Sequence, residues 1–276
     1  MQRPFRQVDV FGDDALLGNP VAVVLDGDGL DDETMRRFAR WTNLSETTFV
    51  LPPSSPAADY RVRIFTPAAE LPFAGHPTLG TGHAWLEHGG RPHGDAIVQE
   101  CAAGLIPIRS TDGRLAFAAP PLVRSGPVDA ELVAQLATML RLDPDEIVDT
   151  QWVDNGPGWV AVLLSDAQAV LDLAPGTVEQ VKVGVAGPHP AGHDAQFEVR
   201  AFFSVDGATR EDPVTGSLNA SLAGWLLASG RATAPYTASQ GTALGRRGRV
   251  HISVDGDGAI WVAGATRTAI AGTVEL

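Results

Sequence analysis

Residues 71–85 read LPFAGHPTLGTGHAW. Two prolines, three glycines and two histidines crowd a Gly-His-Pro-Thr corner, and the stretch then turns helical with no charged residue from Pro77 to Leu86. A helix without a charged face has no side to offer water, so the pattern predicts a helix surrounded by protein. A second segment repeats the arrangement. Pro213 to Ala228, PVTGSLNASLAGWLLA, is also uncharged and starts in the tight corner DPVTGS. Thr78 and Ser217 hold comparable places in the two corners, and their separation is close to half of the 276-residue chain. The spacing predicts a duplicated architecture in which each half is a sheet wrapped around one central helix.

The rest of the chain fits that expectation. Short β-rich runs such as FRQVDVF, PVAVVL, TTFVL and YRVRIF in the first half, and WVAVLL, VKVGVA, FEVRAFF and RVHISV in the second, are separated by turn signals such as DGR, NGPG and DGDG. Two further helices are ordinary amphipathic ones: Asp31 to Trp41, with Met35, Phe38 and Trp41 in phase, and Asp129 to Leu140, with Leu132, Leu136 and Leu140 in phase. The proline-rich Ala118 to Pro127 reads as the connection. The expected fold class is therefore α+β, with an N-terminal half over 1–120 and a C-terminal half over 128–276, the last strand being free to return to the N-terminal half.

The formal charge of −13 argues against nucleic acid or an anionic membrane surface as a partner, because the long-range field repels phosphates. A small anion must be held by local donors instead. One cysteine, Cys101, excludes an internal disulfide and a Cys-rich zinc site. The N-terminal MQRPFRQVDVF lacks a signal-peptide core, and no apolar run reaches membrane-spanning length, so a cytoplasmic location is expected.

The corners suggest the chemistry. A helix start exposes unpaired backbone N–H groups and the positive end of the helix dipole, which suits a carboxylate. Gly75, Pro77, Thr78, Gly216 and Ser217 line the two starts, where glycine admits a ligand to the backbone and proline at the first helical position costs no hydrogen bond. His76 and Asp212 stand beside them; read alone, His76 is as well explained as a turn histidine, and Asp212 as an N-cap with Pro213 at the first helical position. Glu46, in NLSETTF (43–49), falls between a helix and a strand with no cation within three residues, which predicts a raised carboxyl pKa suited to proton transfer. An exposed turn glutamate is the plainer alternative.

Taken together, NLSETTF (43–49), IFTPAAELPFAGHPTLGTGHAW (64–85) and REDPVTGSLNASLAGWL (210–226) resemble the signature segments of the phenazine-biosynthesis isomerase (PhzF-like) family, as do FGDDALLGNPVAVVL (11–25) and YTASQGTALGRRGRV (236–250). The resemblance implies the diaminopimelate-epimerase-like fold, two barrel-like α+β domains with the active site in the cleft between them. It implies that Glu46 is the proton-transferring acid/base, that His76, Asp212 and Ser217 bind and polarise the substrate, that no metal or organic cofactor is used, and that the protein is a homodimer. The family's best-understood member isomerises trans-2,3-dihydro-3-hydroxyanthranilate.

The expected function is thus a cofactor-independent isomerase moving a proton on a small, cyclic amino or hydroxy carboxylate. Thiol-dependent racemases of the same fold carry a cysteine at each helix start, and neither corner has one here. A non-thiol epimerase using one carboxyl group and a non-catalytic small-anion binding protein stay open as alternatives. A hydrolase using Ser217 is disfavoured, since TGSLN is not a nucleophile elbow. His189 and His193 are expected in a flexible surface loop and not in a metal site, because proline and glycine separate them.

Overall fold

The strand Gln2–Val10 (β1) alternates between the two faces of a sheet, and its Val8 and Val10 are fully buried. It opens the first of two units in the computed structural model, which describes residues 1–276. This unit comprises Met1–Ala118 together with Ala263–Leu276, and the second comprises Ala119–Val262.

In the first unit β1 is followed by β2 (Asn19–Val24), α1 (Asp32–Thr42), β3 (Glu46–Leu51), β4 (Tyr60–Phe65), β5 (Glu70–Leu71), α2 (Gly75–Glu87), β6 (Ile97–Cys101), β7 (Gly104–Thr111) and β8 (Arg114–Ala118). β1 pairs antiparallel with β2, β2 parallel with β3, β3 antiparallel with β4, β4 parallel with β6, and β6 antiparallel with β7. The strand Thr266–Glu275 closes the chain antiparallel to β1.

The second unit runs β9 (Arg124–Pro127), α3 (Ala130–Leu140), β10 (Ile147–Asp154), β11 (Trp159–Leu164), α4 (Ala167–Leu171), β12 (Lys182–Pro188), β13 (Phe197–Val205), β14 (Ala208–Asp212), α5 (Gly216–Ala228), β15 (Tyr236–Gln240), β16 (Gly248–Val254) and β17 (Ile260–Gly264), the last crossing back into the first unit. Its pairing order is the same: β10 with β11 antiparallel, β11 with β12 parallel, β12 with β13 antiparallel, β13 with β15 parallel, β15 with β16 antiparallel. In each unit a helix bridges the first parallel pair, α1 in one and α4 in the other, as a parallel connection requires. The long uncharged helix follows the hairpin β4–β5 in one unit and β13–β14 in the other. The duplication expected from the two corners is therefore present in the strand order.

α2 touches β1, β2, β3, β6, β8 and the closing strand, which places it inside its sheet. Ten of the thirteen α5 residues are buried, so α5 likewise has almost no side facing water. The opposite face of the first sheet carries α1, whose Met35, Phe38 and Ala39 pack with Val24, Phe49, Leu51 and Phe65. β3 lies between the two helices, and five of its six residues are buried. The alternation of its side chains divides them accordingly. Thr47 Oγ1 meets Thr42 Oγ1 of α1 at 2.9 Å, while Thr48 Oγ1 meets Thr81 Oγ1 of α2 at 2.8 Å. Glu46, two residues from Thr48, therefore faces α2.

Both uncharged helices begin elsewhere than the proline positions suggest. α2 starts at Gly75, so His76 and Pro77 are helical. α5 starts at Gly216, with Thr215 as its N-cap, and Asp212 is the last residue of β14. Asp212 is thus not the N-cap of a helix opened by Pro213; its carboxylate is taken up by Thr215, as described below.

Candidate functional site

Three surface helices are capped by aspartates, Asp31, Asp129 and Asp166, whose carboxylates accept from the first turn. α2 and α5 have no side-chain cap. Their first-turn N–H groups lack both intrahelical and capping partners, the condition under which a helix start receives an anion.

At the α2 corner, Glu46 from the start of β3 brings Oε2 to 3.3 Å from His76 Nδ1. The side chains are 15% and 3% exposed, respectively. Asn19, the first residue of β2, sets its Nδ2 3.5 Å from the same ring nitrogen. Burial lowers the His76 pKa to about 3, against a small opposing effect of the Pro20 carbonyl, so the imidazole is neutral and the contact with Glu46 is not an ion pair. A neutral ring carries one proton. Either Nδ1–H donates to a Glu46 carboxylate, or a protonated Glu46 donates to a bare Nδ1 with the ring proton on Nε2; the second arrangement holds one more proton than the first. His76 Nε2 is buried and has no hydrogen-bonding partner in the protein.

The corner is held from behind. Gln99 of β6 donates through Nε2 to Thr78 Oγ1 at 2.9 Å and accepts from Tyr60 Oη at 3.1 Å, while Thr78 Oγ1 donates to the Ala74 carbonyl at 2.9 Å. Thr78 thus spends its hydroxyl on its own helix start. Gly80 lets the helix approach the sheet: a Cβ there would lie 2.3 Å from Val21 Cγ1 and 3.0 Å from Val10 Cγ2.

At the α5 corner, Ser217 Oγ accepts from Trp159 Nε1 at 3.1 Å, and the Ser217 carbonyl accepts from Asn155 Nδ2 at 3.0 Å. With its lone pair engaged, the Ser217 hydroxyl has its proton to give. Asp212 Oδ2 accepts from Thr215 Oγ1 at 2.6 Å. Gln240, at the end of β15, bonds to the backbone and side chain of Thr215.

The structure thus brings Glu46 to His76, and Gly75, Pro77 and Thr78 to the same corner. It gathers Asp212, Gly216 and Ser217 at the other. Sequence reasoning did not single out Asn19, Gln99, Trp159, Asn155, Thr215 or Gln240. Asn19 and Gln240 lie within the GNP and SQG stretches already quoted, but Trp159 and Asn155 sit in an NGPGW turn that carries no chemical signal. His189 departs from the surface-loop expectation. Its side chain is 9% exposed, with Nε2 3.2 Å from Glu198 Oε2 and its ring stacked on His193 at 3.8 Å. Stacked imidazoles direct their nitrogens side by side and do not converge, and no group of three or more His, Cys, Asp and Glu side chains is disposed to hold a metal ion. Cys101 is buried in β6, and burial pushes its thiol pKa up, the condition of an unreactive thiol. A depression of about 510 Å³ lined by residues including Leu140, Arg141, Asp166 and Asp172 shares no residue with either corner. No helix is long and apolar enough to cross a membrane.

Comparison with known proteins finds relatives over almost the whole chain. The chain is 37% identical to Antisense-enhancing sequence 1 of Schizosaccharomyces pombe, over 98% of each chain. It is 35% identical to the trans-2,3-dihydro-3-hydroxyanthranilate isomerase of Pseudomonas aeruginosa, over 91% of this chain and 90% of that one. A crystal structure of a Bacillus anthracis phenazine biosynthesis protein of the PhzF family shares the fold, with a TM-score of 0.84 over 100% of both chains at 23% identity. Residues 8–274 match the family described as phenazine biosynthesis-like protein, and the chain belongs to that family.

Proposed function

We propose that this chain is a cofactor-independent isomerase that moves a proton between two carbons of a small, cyclic amino or hydroxy carboxylate. The observation that carries the reading is the Glu46–His76 contact of 3.3 Å at the uncapped, buried start of α2. A carboxyl group beside a neutral imidazole can lose and regain a proton without stranding a full charge pair away from water.

In this reading Glu46 takes a proton from an acidic C–H, the electrons shift through the conjugated ring, and the same carboxyl returns the proton to another carbon. Atoms and electrons balance without an oxidant. His76 orients Glu46 through Nδ1 and leaves Nε2 for a substrate atom. In one unit the N–H groups at the start of α2, around Gly75, and in the other Ser217 with the N–H groups around Gly216, are each suited to a carboxylate or to negative charge that develops in an intermediate. Asp212 takes the amine or hydroxyl. The proposed form is a homodimer, as the family resemblance implies, and the proposed location is the cytoplasm.

The relative named for trans-2,3-dihydro-3-hydroxyanthranilate makes that compound the first to try. Incubating the purified chain with it and following the ring protons by NMR tests the proposal. Conversion to a rearranged isomer of equal mass supports it. Binding without conversion would place the chain among small-anion binding proteins, and exchange at a single carbon with inversion would make it an epimerase.

A further inference from the structure

Gln240 is 0% exposed and uses both ends of its amide on the α5 corner. Oε1 accepts from Thr215 N at 2.9 Å and from Asn219 Nδ2 at 2.8 Å. Nε2 donates to the Asp212 carbonyl at 3.1 Å and to Thr215 Oγ1 at 2.9 Å. The orientation follows from chemistry: a backbone N–H can only donate and a backbone carbonyl can only accept, so each end of the amide has one partner that fixes it.

That orientation propagates. Because Nε2 donates to Thr215 Oγ1, the threonine hydroxyl is an acceptor on that side and must direct its single proton elsewhere. The Asp212 Oδ2 oxygen stands 2.6 Å away and receives it, a length typical of a hydroxyl donating to a carboxylate. Asn219 closes the clamp by donating to the Thr215 carbonyl at 2.9 Å as well as to Gln240. Every group here belongs to one unit and is buried.

We infer that Gln240 is a positioning residue which, through Thr215, locks Asp212 as a hydrogen-bond acceptor at the helix start. With Oδ2 so fixed, the Asp212 carboxylate is oriented to receive a proton-bearing group of the substrate, an ammonium, amine or hydroxyl. This assignment rests on the proposed isomerase reading for what Asp212 meets, but not for the lock itself. The neighbouring charged pair does not account for the lock: Arg200 and Glu211, bound at 2.9 and 2.7 Å, are on the other face of the β13–β14 hairpin, since Glu211 and Asp212 alternate.

The experiment is a ¹³Cγ titration of Asp212 in the ligand-free full chain, comparing wild type with Thr215→Val, Thr215→Ser and Gln240→Met. Removing the hydroxyl that solvates the carboxylate raises the midpoint by about one unit in Thr215→Val. Thr215→Ser restores the donor and the wild-type midpoint. Gln240→Met, which frees the hydroxyl to turn, moves the midpoint in the same direction but less. A Thr215→Val protein with a native amide spectrum and an unshifted Asp212 would overturn the inference, as would equal shifts in Thr215→Val and Thr215→Ser. No substrate enters this comparison, so failure of wild type to convert trans-2,3-dihydro-3-hydroxyanthranilate would count against the functional reading alone. Where turnover is found, Thr215→Val should lower kcat/KM at least fivefold and Thr215→Ser should recover most of it.

Discussion

Two glycines two positions apart on the same helix should respond to alanine in opposite directions. Both Gly80 and Gly82 lie inside α2, and alanine at either gains ~1 kcal/mol of helix preference. At Gly80 the added methyl would lie 2.3 Å from Val21 Cγ1 and 3.0 Å from Val10 Cγ2. Carbon atoms rest about 3.5–4.0 Å apart, so the first contact is short by more than an ångström. Val21 and Val10 are both fully buried, β-branched, and fixed in paired strands, which leaves the helix itself to move. Overpacking of this kind costs ~3 kcal/mol at the upper end of its usual range, for a net loss of ~2 kcal/mol.

At Gly82 the methyl would meet Ile108 Cδ1 at 3.5 Å, with Leu115 Cδ1 and Tyr60 Oη at 3.6 Å, all ordinary contacts. Gly82→Ala should therefore stabilise by ~1 kcal/mol. Urea unfolding of the two variants checks the difference of ~3 kcal/mol between them. Because α2 carries His76 at its start, Gly80→Ala should also lower turnover while Gly82→Ala leaves it near wild type. Equal shifts of the same sign would refute the close approach of α2 to β1 and β2.

Other expectations follow from the corners. The His76 ring should stay neutral from pH 8 to 5 by imidazole NMR. Its native pKa of about 3 lies below the ordinary 6.5, so the unfolded chain takes up a proton the folded one refuses. The contribution of His76 to stability is therefore fully present above about pH 6.5 and declines as the pH falls toward 3, which acid-unfolding midpoints of wild type and His76→Asn would register. Trp159→Phe removes the donor to Ser217 Oγ; a net loss of ~1 kcal/mol corresponds to about a fivefold rise in KM with little change in kcat.

Much of the fold is legible because apolar runs mark its buried strands. FEVRAFF and WVAVLL are visible at once, and the two uncharged helices betray their enclosure. Other strands are hidden by composition. Ala208–Asp212, ATRED, is polar yet pairs with β13, and Tyr236–Gln240, YTASQ, is largely polar in composition yet pairs with both β13 and β16. A helix as short as Ala167–Leu171 carries too few turns for a period to show. The start of α5 departs from its sequence expectation for a related reason. Asp-Pro predicts a cap, but the Thr215 hydroxyl claims the Asp212 carboxylate and Gln240 claims the Thr215 N–H, so the helix begins only at Gly216. Corner residues were legible from local chemistry and family resemblance, whereas Trp159, Asn155 and Gln240 reach the α5 start from distant strands and loops that only the folded chain brings together.

The most direct test of Glu46 as the proton carrier is a ¹H NMR time course in D2O with trans-2,3-dihydro-3-hydroxyanthranilate, run on wild type and Glu46→Gln. Wild type should rearrange the compound or introduce deuterium at a ring carbon, and Glu46→Gln, with an amide that cannot accept the proton, should do neither. Full rearrangement or exchange by Glu46→Gln would contradict the account.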